Sequence, residues 1–167
     1  PLKSFVMNIA LNKSVDDYLH SLEKVIEKRK LWKSVTCPLI TRTLKEIREN
    51  YNIGWCIQEL DWLLTNKAVN LTFESFPPVL SEKLTDLHDF EFLKGAALVF
   101  SQKYNGDIYV FILYPDLAES NAESDIKELG TYDPDRINED FVMEKVIDFL
   151  EEIIVWEGSV IKRKVGF

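Results

Sequence analysis

Asn105-Gly106 lies between two apolar runs, Ala96 to Lys103 and Ile108 to Tyr114, and no other stretch limits the fold as tightly. A two-residue type I′ turn needs positive φ at both central positions, and Asn-Gly tolerates this best. The runs are therefore expected to be the strands of a β-hairpin over about 96–114. Both are too apolar to stay on a surface, so the hairpin should sit at the centre of a sheet.

Other strands must complete that sheet. Val69, Leu71 and Phe73 alternate with Asn70, Thr72 and Glu74, a half-buried strand that Pro77-Pro78 would end. Leu2 to Ala10 alternates more roughly and reads as a short strand. In Ser159 to Phe167, Ile161, Val165 and Phe167 share a parity, as in an edge strand protected by Lys162-Arg163-Lys164.

Helices are expected over about 14–33, 37–50, 53–66 and 139–157. Ser14 is placed to cap the first, and Val15, Tyr18, Leu19, Leu22, Val25 and Ile26 share one of its faces. Thr36-Cys37-Pro38 reads as the start of the second, with proline in the first turn. From Ile53 to Leu64 the apolar spacing favours a helix. A strand over Tyr51 to Ile57 competes with it, favoured by Gly54 and Trp55. Ser81 to Leu87 has room for one or two helical turns, and Asp125 to Leu129 reads as a short helix stopped at Gly130. Asn138 should cap the last helix, with Val142, Val146, Phe149, Leu150 and Ile153 as its core stripe and Gly158 as its end. The expected fold is a single α+β domain over 1–167. Its antiparallel sheet is built on the central hairpin, and its helices lie mainly on one face.

A chain of 167 residues with 46% hydrophobic and 29% charged residues suits one globular domain and argues against disorder. Its two cysteines, Cys37 and Cys56, are too few for a disulfide framework. There is no apolar run long enough to span a membrane, and the first residues lack the pattern of a signal peptide. A cytoplasmic location without a membrane partner is the expectation.

Charge is the most informative remaining signal. The net charge is −8, but Lys24 to Arg48 holds eight Lys or Arg against two Glu, while Pro115 to Glu157 holds fourteen Asp or Glu against three Lys or Arg. Either the two regions face each other within the fold, or the later one forms an acidic face that steers a basic partner. The second reading makes the chain a non-catalytic interaction module, inhibitor- or adaptor-like. Asp116, Glu119, Glu123, Asp125, Glu128, Asp133 and Asp135 would be its binding residues, and its partner a protein with a basic surface. The acidic total disfavours nucleic acid, although the basic run from Lys28 to Arg48 is the place where RNA would bind. The residues leave the oligomeric state open.

Catalytic motifs are missing. There is no GxSxG, no GxGxxG and no phosphate loop ending in GK[ST], and no cofactor is expected. Paired carboxylates for glycoside chemistry would depend on the fold. Cys37 near a helix start, with His20 or His88 as base, is the nearest approach to a nucleophile pair. The densest group of metal-ligand types is Asp86, His88 and Glu91. With a pocket between sheet and helices lined by Trp and Tyr, these residues define the alternative reading, a small-molecule-binding or metal-dependent hydrolytic domain. Asp133 to Glu144 has acids at the first, third and twelfth places of a calcium loop. It carries Asn138 where glycine is needed, so helix capping is the expectation. Trp32, Trp55, Trp62, Trp156, Tyr104, Tyr109 and Tyr114 are expected at the core or its margin, and would be binding anchors if exposed together.

Overall fold

Each strand of the sheet is hydrogen-bonded to its neighbour in sequence, which gives a five-stranded antiparallel meander. The computed structural model describes residues 2–61, 67–115 and 126–164. The strands are β1 (Trp55–Asp61), β2 (Lys67–Phe73), β3 (Ala97–Gln102), β4 (Ile108–Leu113) and β5 (Ile126–Tyr132). The long helices among the described residues are α1 (Leu2–Leu31), α2 (Cys37–Asn50) and α3 (Glu139–Lys164). The fold is α+β.

β3 and β4 pair from Ala97 opposite Leu113 to Gln102 opposite Ile108. Their connection differs from the expected type I′ turn. The Gly106 N–H donates to the Lys103 carbonyl at 2.9 Å, so Tyr104-Asn105 is the central pair. Gly106 follows at φ +90° as the left-handed residue of a three-residue loop. Any Cβ on Gly106 would lie 2.3 Å from the Cβ of Lys28, so the loop tip presses directly on α1.

One face of the sheet carries the main core. Val69, Leu71, Phe73, Leu98, Phe100, Ile108, Val110 and Ile112 meet Trp32 and Ile40 and Leu44 of α2. From α3 they meet Val142, Val146, Phe149 and Ile153. Phe149 stacks on Phe73 at 5.3 Å, and Phe73 stacks on Trp55 at 5.8 Å. The second face has its own buried cluster of Ala68, Ala97, Val99 and Phe111, all from strands. The described helices thus pack on one face.

Several elements depart from the sequence-based expectation. Leu2 to Ala10 is helical, not a strand, and Ser14 lies inside α1 instead of capping it. Rough alternation over nine residues is a poor discriminator when Leu, Met and Ala are good helix formers. Thr36 caps nothing; its φ and ψ are helical, at −69° and −52°. Trp32–Thr36 forms a π-turn that leads from α1 into α2, closed by the Cys37 N–H to the Trp32 carbonyl. Pro38 explains it. A proline inside an α-helix has no N–H to give and its ring strikes the carbonyl four residues back, and a widened turn relieves both faults.

The helix expected over 53–66 is strand β1 from Trp55 to Asp61; the positions 62–66, Trp62 among them, lie outside the described residues. Gly54 decides this. It holds φ +88°, its carbonyl accepts the N–H groups of Glu74 and Ser75 at 3.0 Å each, and a Cβ there would lie 2.0 Å from the Ser75 carbonyl oxygen. The chain therefore reverses at Gly54 and enters the sheet. Asp125 to Leu129 is not a short helix either: β5 begins at Ile126. Gly130, at φ +124°, marks the register shift where Val110 faces Gly130 but Phe111 faces Glu128. Ser159 to Lys164 continues α3 instead of forming an edge strand, and Gly158 does not end the helix. Residues 165–167 lie outside the described set.

Candidate interaction surface

α3 carries two stripes of opposite chemistry. At 100° per residue, Val142, Val146, Phe149, Ile153 and Trp156 point inward, and all are buried. Asp140, Met143, Glu144, Ile147, Glu151 and Ile154 point the other way. Met143, Ile147 and Ile154 are 42%, 55% and 70% exposed. Large aliphatic side chains in the middle of an acidic helix face are not required by the core, which the inner stripe already fills.

The helix is firmly placed. Asn138 Oδ1 accepts the Phe141 N–H at 2.8 Å and caps its start, while Glu139 and Asp140 complement the dipole. At mid-length Glu152 accepts from Lys127 at 2.7 Å and from the Tyr114 hydroxyl at 2.6 Å. The Lys127 ammonium, and then the Tyr114 hydroxyl, hold the Glu152 carboxyl below its ordinary value. Trp156 stacks on Tyr114 at 6.4 Å. Lys145, the central cation of α3, is turned inward. Its Nζ lies 5.2 Å from the ring centres of both Tyr132 and Phe141 and 3.7 Å from Asp148. Among the described residues, Asp140, Glu144 and Glu151 have no cation within ion-pair distance.

Among the described residues, the basic and acidic halves of the chain meet in two places. Lys28 pairs with Asp133 at 3.1 Å, and Arg42 pairs with Glu139 at 3.5 Å. Compensation is therefore real but local, and it leaves the outer stripe of α3 untouched.

Of the acids singled out from the sequence, Glu128, Asp133 and Asp135 fall among the described residues. Asp116, Glu119, Glu123 and Asp125 lie outside the described residues. Glu128 sits on β5 opposite Phe111, on the sheet face away from the helices. There it accepts from the Tyr109 hydroxyl, and burial together with that carboxylate pushes the Tyr109 phenol up to about 12. Asp133 and Asp135 flank the 3₁₀ turn Pro134–Arg136, where Asp133 accepts the Asp135 N–H at 3.1 Å. That backbone donor, aided by Lys28, holds the Asp133 carboxyl low. The calcium-loop spacing at Asp133 is thus occupied by turn and cap contacts. Spacing alone does not reveal the α3 stripe, because Ile147 and Ile154 are apolar residues of a helix whose other apolar side chains, such as Phe149 and Ile153, are buried.

Asp86, His88 and Glu91 all lie exposed beyond the 3₁₀ segment Pro78–Leu84. Among the described residues no group of three or more His, Cys, Asp or Glu side chains converges as a metal ion would require. A concavity of about 690 Å³ does open between the helices and the sheet, lined by Trp32, Cys37, Thr41, Arg42, Glu59 and Lys67 among others. None of Asp86, His88 and Glu91 borders it. Cys37 there is not an activated thiol, since burial raises its pKa. Trp32, Trp55 and Trp156 are buried, so no described tryptophan is a surface anchor. No helix among the described residues is long and apolar enough to cross a membrane.

No protein-family model, no curated protein and no solved structure matches this chain.

Proposed function

We propose that this chain is a non-catalytic interaction module, inhibitor- or adaptor-like, and that the outer stripe of α3 is its docking surface. Its partner would be a protein presenting a basic, amphipathic segment. What carries this reading is the line of Met143, Ile147 and Ile154, exposed among Asp140, Glu144 and Glu151. Acids at the rim speed encounter with a cationic partner, and aliphatic side chains between them supply the desolvated contact that charge alone does not. Among the described acids of 126–135, Glu128 and Asp133 already serve internal contacts, which favours α3 as the docking element.

The test is a pull-down at low and high salt with three baits: the unaltered chain, Glu144→Lys/Glu151→Lys, and Ile147→Ser/Ile154→Ser. A partner held at low salt, weakened at high salt and lost by both variants is the expected result. A salt-indifferent partner, or one retained by both variants, removes the proposal.

A further inference from the structure

α1 offers a second surface, independent of the one on α3. From Asn8 to Ser21 every residue is exposed, and the helix touches the rest of the fold near its C-terminal end. There Arg29 Nη1 donates to the Lys103 and Tyr104 carbonyls at 3.3 and 3.2 Å, and Lys28 reaches Asp107 at 3.0 Å. A helix standing in water on its own is marginal even with good helix formers. This one also displays an apolar stripe: Leu11, Val15, Tyr18, Leu19 and Ile26 are between 45% and 62% exposed, with Leu22 half-buried among them.

The stripe is symmetric about its own midpoint. Reversing the order of positions 11, 15, 18, 19, 22 and 26 around the point between Tyr18 and Leu19 returns the same set; half-buried Val25, at the edge of the stripe, falls level with Asn12. In an antiparallel pair Leu11 then faces Ile26 of the other copy, Val15 faces Leu22, and Tyr18 faces Leu19. Asp17 falls level with His20, Asp16 with Ser21, Glu23 with Ser14 and Lys13 with Lys24, but at 100° per residue all of these lie at or beyond the edges of the stripe, so the contact itself is apolar. Complete coverage of the stripe would bury on the order of 1,000 Å² for a pair, the size of a weak, reversible contact.

We propose that this stripe docks a second copy of the chain, α1 against α1, as an antiparallel two-fold pair. An isologous contact needs a self-complementary patch, and the palindromic spacing is what makes this one self-complementary.

Sedimentation of the full chain at about 100 µM tests the stoichiometry. The expected species is twice the 19.5 kDa of one chain. Leu11→Lys/Leu19→Lys should return it to one copy while the near-ultraviolet signal of the core tryptophans is kept. A short bis-maleimide tests the geometry, with products located by peptide mass. Leu19→Cys, next to the two-fold axis, should cross-link to its own copy. Leu11→Cys should not, because its two copies would stand about 22 Å apart along the helix axes. A single-copy species for the unaltered chain, including one that instead sediments with lipid vesicles, overturns the proposal. So does a pair that survives the lysine variant, or one cross-linked equally well through Leu11→Cys.

Discussion

Lys28 Nζ stands 3.0 Å from Asp107 Oδ1 and 3.1 Å from Asp133 Oδ2, tying α1 at once to the tip of the central hairpin and to the turn before α3. Replacing it with alanine removes the one cation that both carboxylates share in a joint between three elements. Partly exposed ion pairs are worth up to about 1 kcal/mol each, so Lys28→Ala should cost about 1–2 kcal/mol in urea unfolding. An unchanged midpoint would show that the joint contributes nothing.

The same joint sets a pH window. Asp133 is held below its ordinary value, so its contribution is present above about pH 4 and lost as pH falls through the depressed folded value. Glu152 behaves likewise beside Lys127. Lys28 is raised by Asp107 and Asp133, so its contribution is present below about pH 10 and lost as pH rises further. Thermal unfolding should show a plateau that falls at both ends. Lys28→Ala should flatten the alkaline arm and reduce the acid one.

Tyr109 gives a spectroscopic check on β5. Its phenol should ionise near 12 in an ultraviolet titration. Glu128→Gln removes the carboxylate that opposes ionisation and should bring the Tyr109 transition down. If that transition does not move, β4 and β5 are not in the register described.

Gly54 and Gly158 should respond to alanine with opposite signs. At Gly54 the new Cβ would meet the Ser75 carbonyl oxygen at 2.0 Å, with φ already at +88°. Strain of this kind costs about 3 kcal/mol, and expression of folded protein should drop. At Gly158 a Cβ meets nothing within 4 Å inside a helix, so Gly158→Ala should stabilise by about 0.5–1 kcal/mol. Differential scanning calorimetry of the two variants reads both signs.

The glycines also show what was legible in the sequence. Val69 to Phe73, the two strands of the 96–114 hairpin and the cap at Asn138 follow from short-range rules, alternation and capping, that act within a few residues. Gly54, Gly130 and Gly158 are alike in sequence but do three different things, because what each does is set by Ser75, Tyr132 and empty space respectively. The helical spacing of Ile53 to Leu64 was overridden by pairing with β2, in which Trp55 faces Phe73 and Asp61 faces Lys67. Of the candidate site, the acidity of the later half was visible from composition. Its concentration on α3 depends on Lys145 turning inward beneath two rings, which no spacing announces.

Asn70 sits 5% exposed in the middle of β2, and among the described residues its Oδ1 has no hydrogen-bond partner. A buried acceptor left unmet costs about 1–3 kcal/mol, and exchanging it for an apolar group of similar shape recovers part of that. Asn70→Leu should therefore raise the urea midpoint. A fall would mean that the site lacks room for the second methyl group, and a crystal structure of the variant would show the displaced neighbours.

The π-turn at Trp32–Thr36 holds one residue more than an α-turn would use, and that residue acts as a phase shifter. Remove one position from this turn, together with Pro38→Ala, and the helix can run through in regular register. Everything before it then rotates by about 100° relative to the sheet. Lys28 would swing away from the hairpin tip, and the flank that now faces water would be re-aimed. The heading of the whole amino-terminal arm is thus set by a single surplus residue in one helical turn.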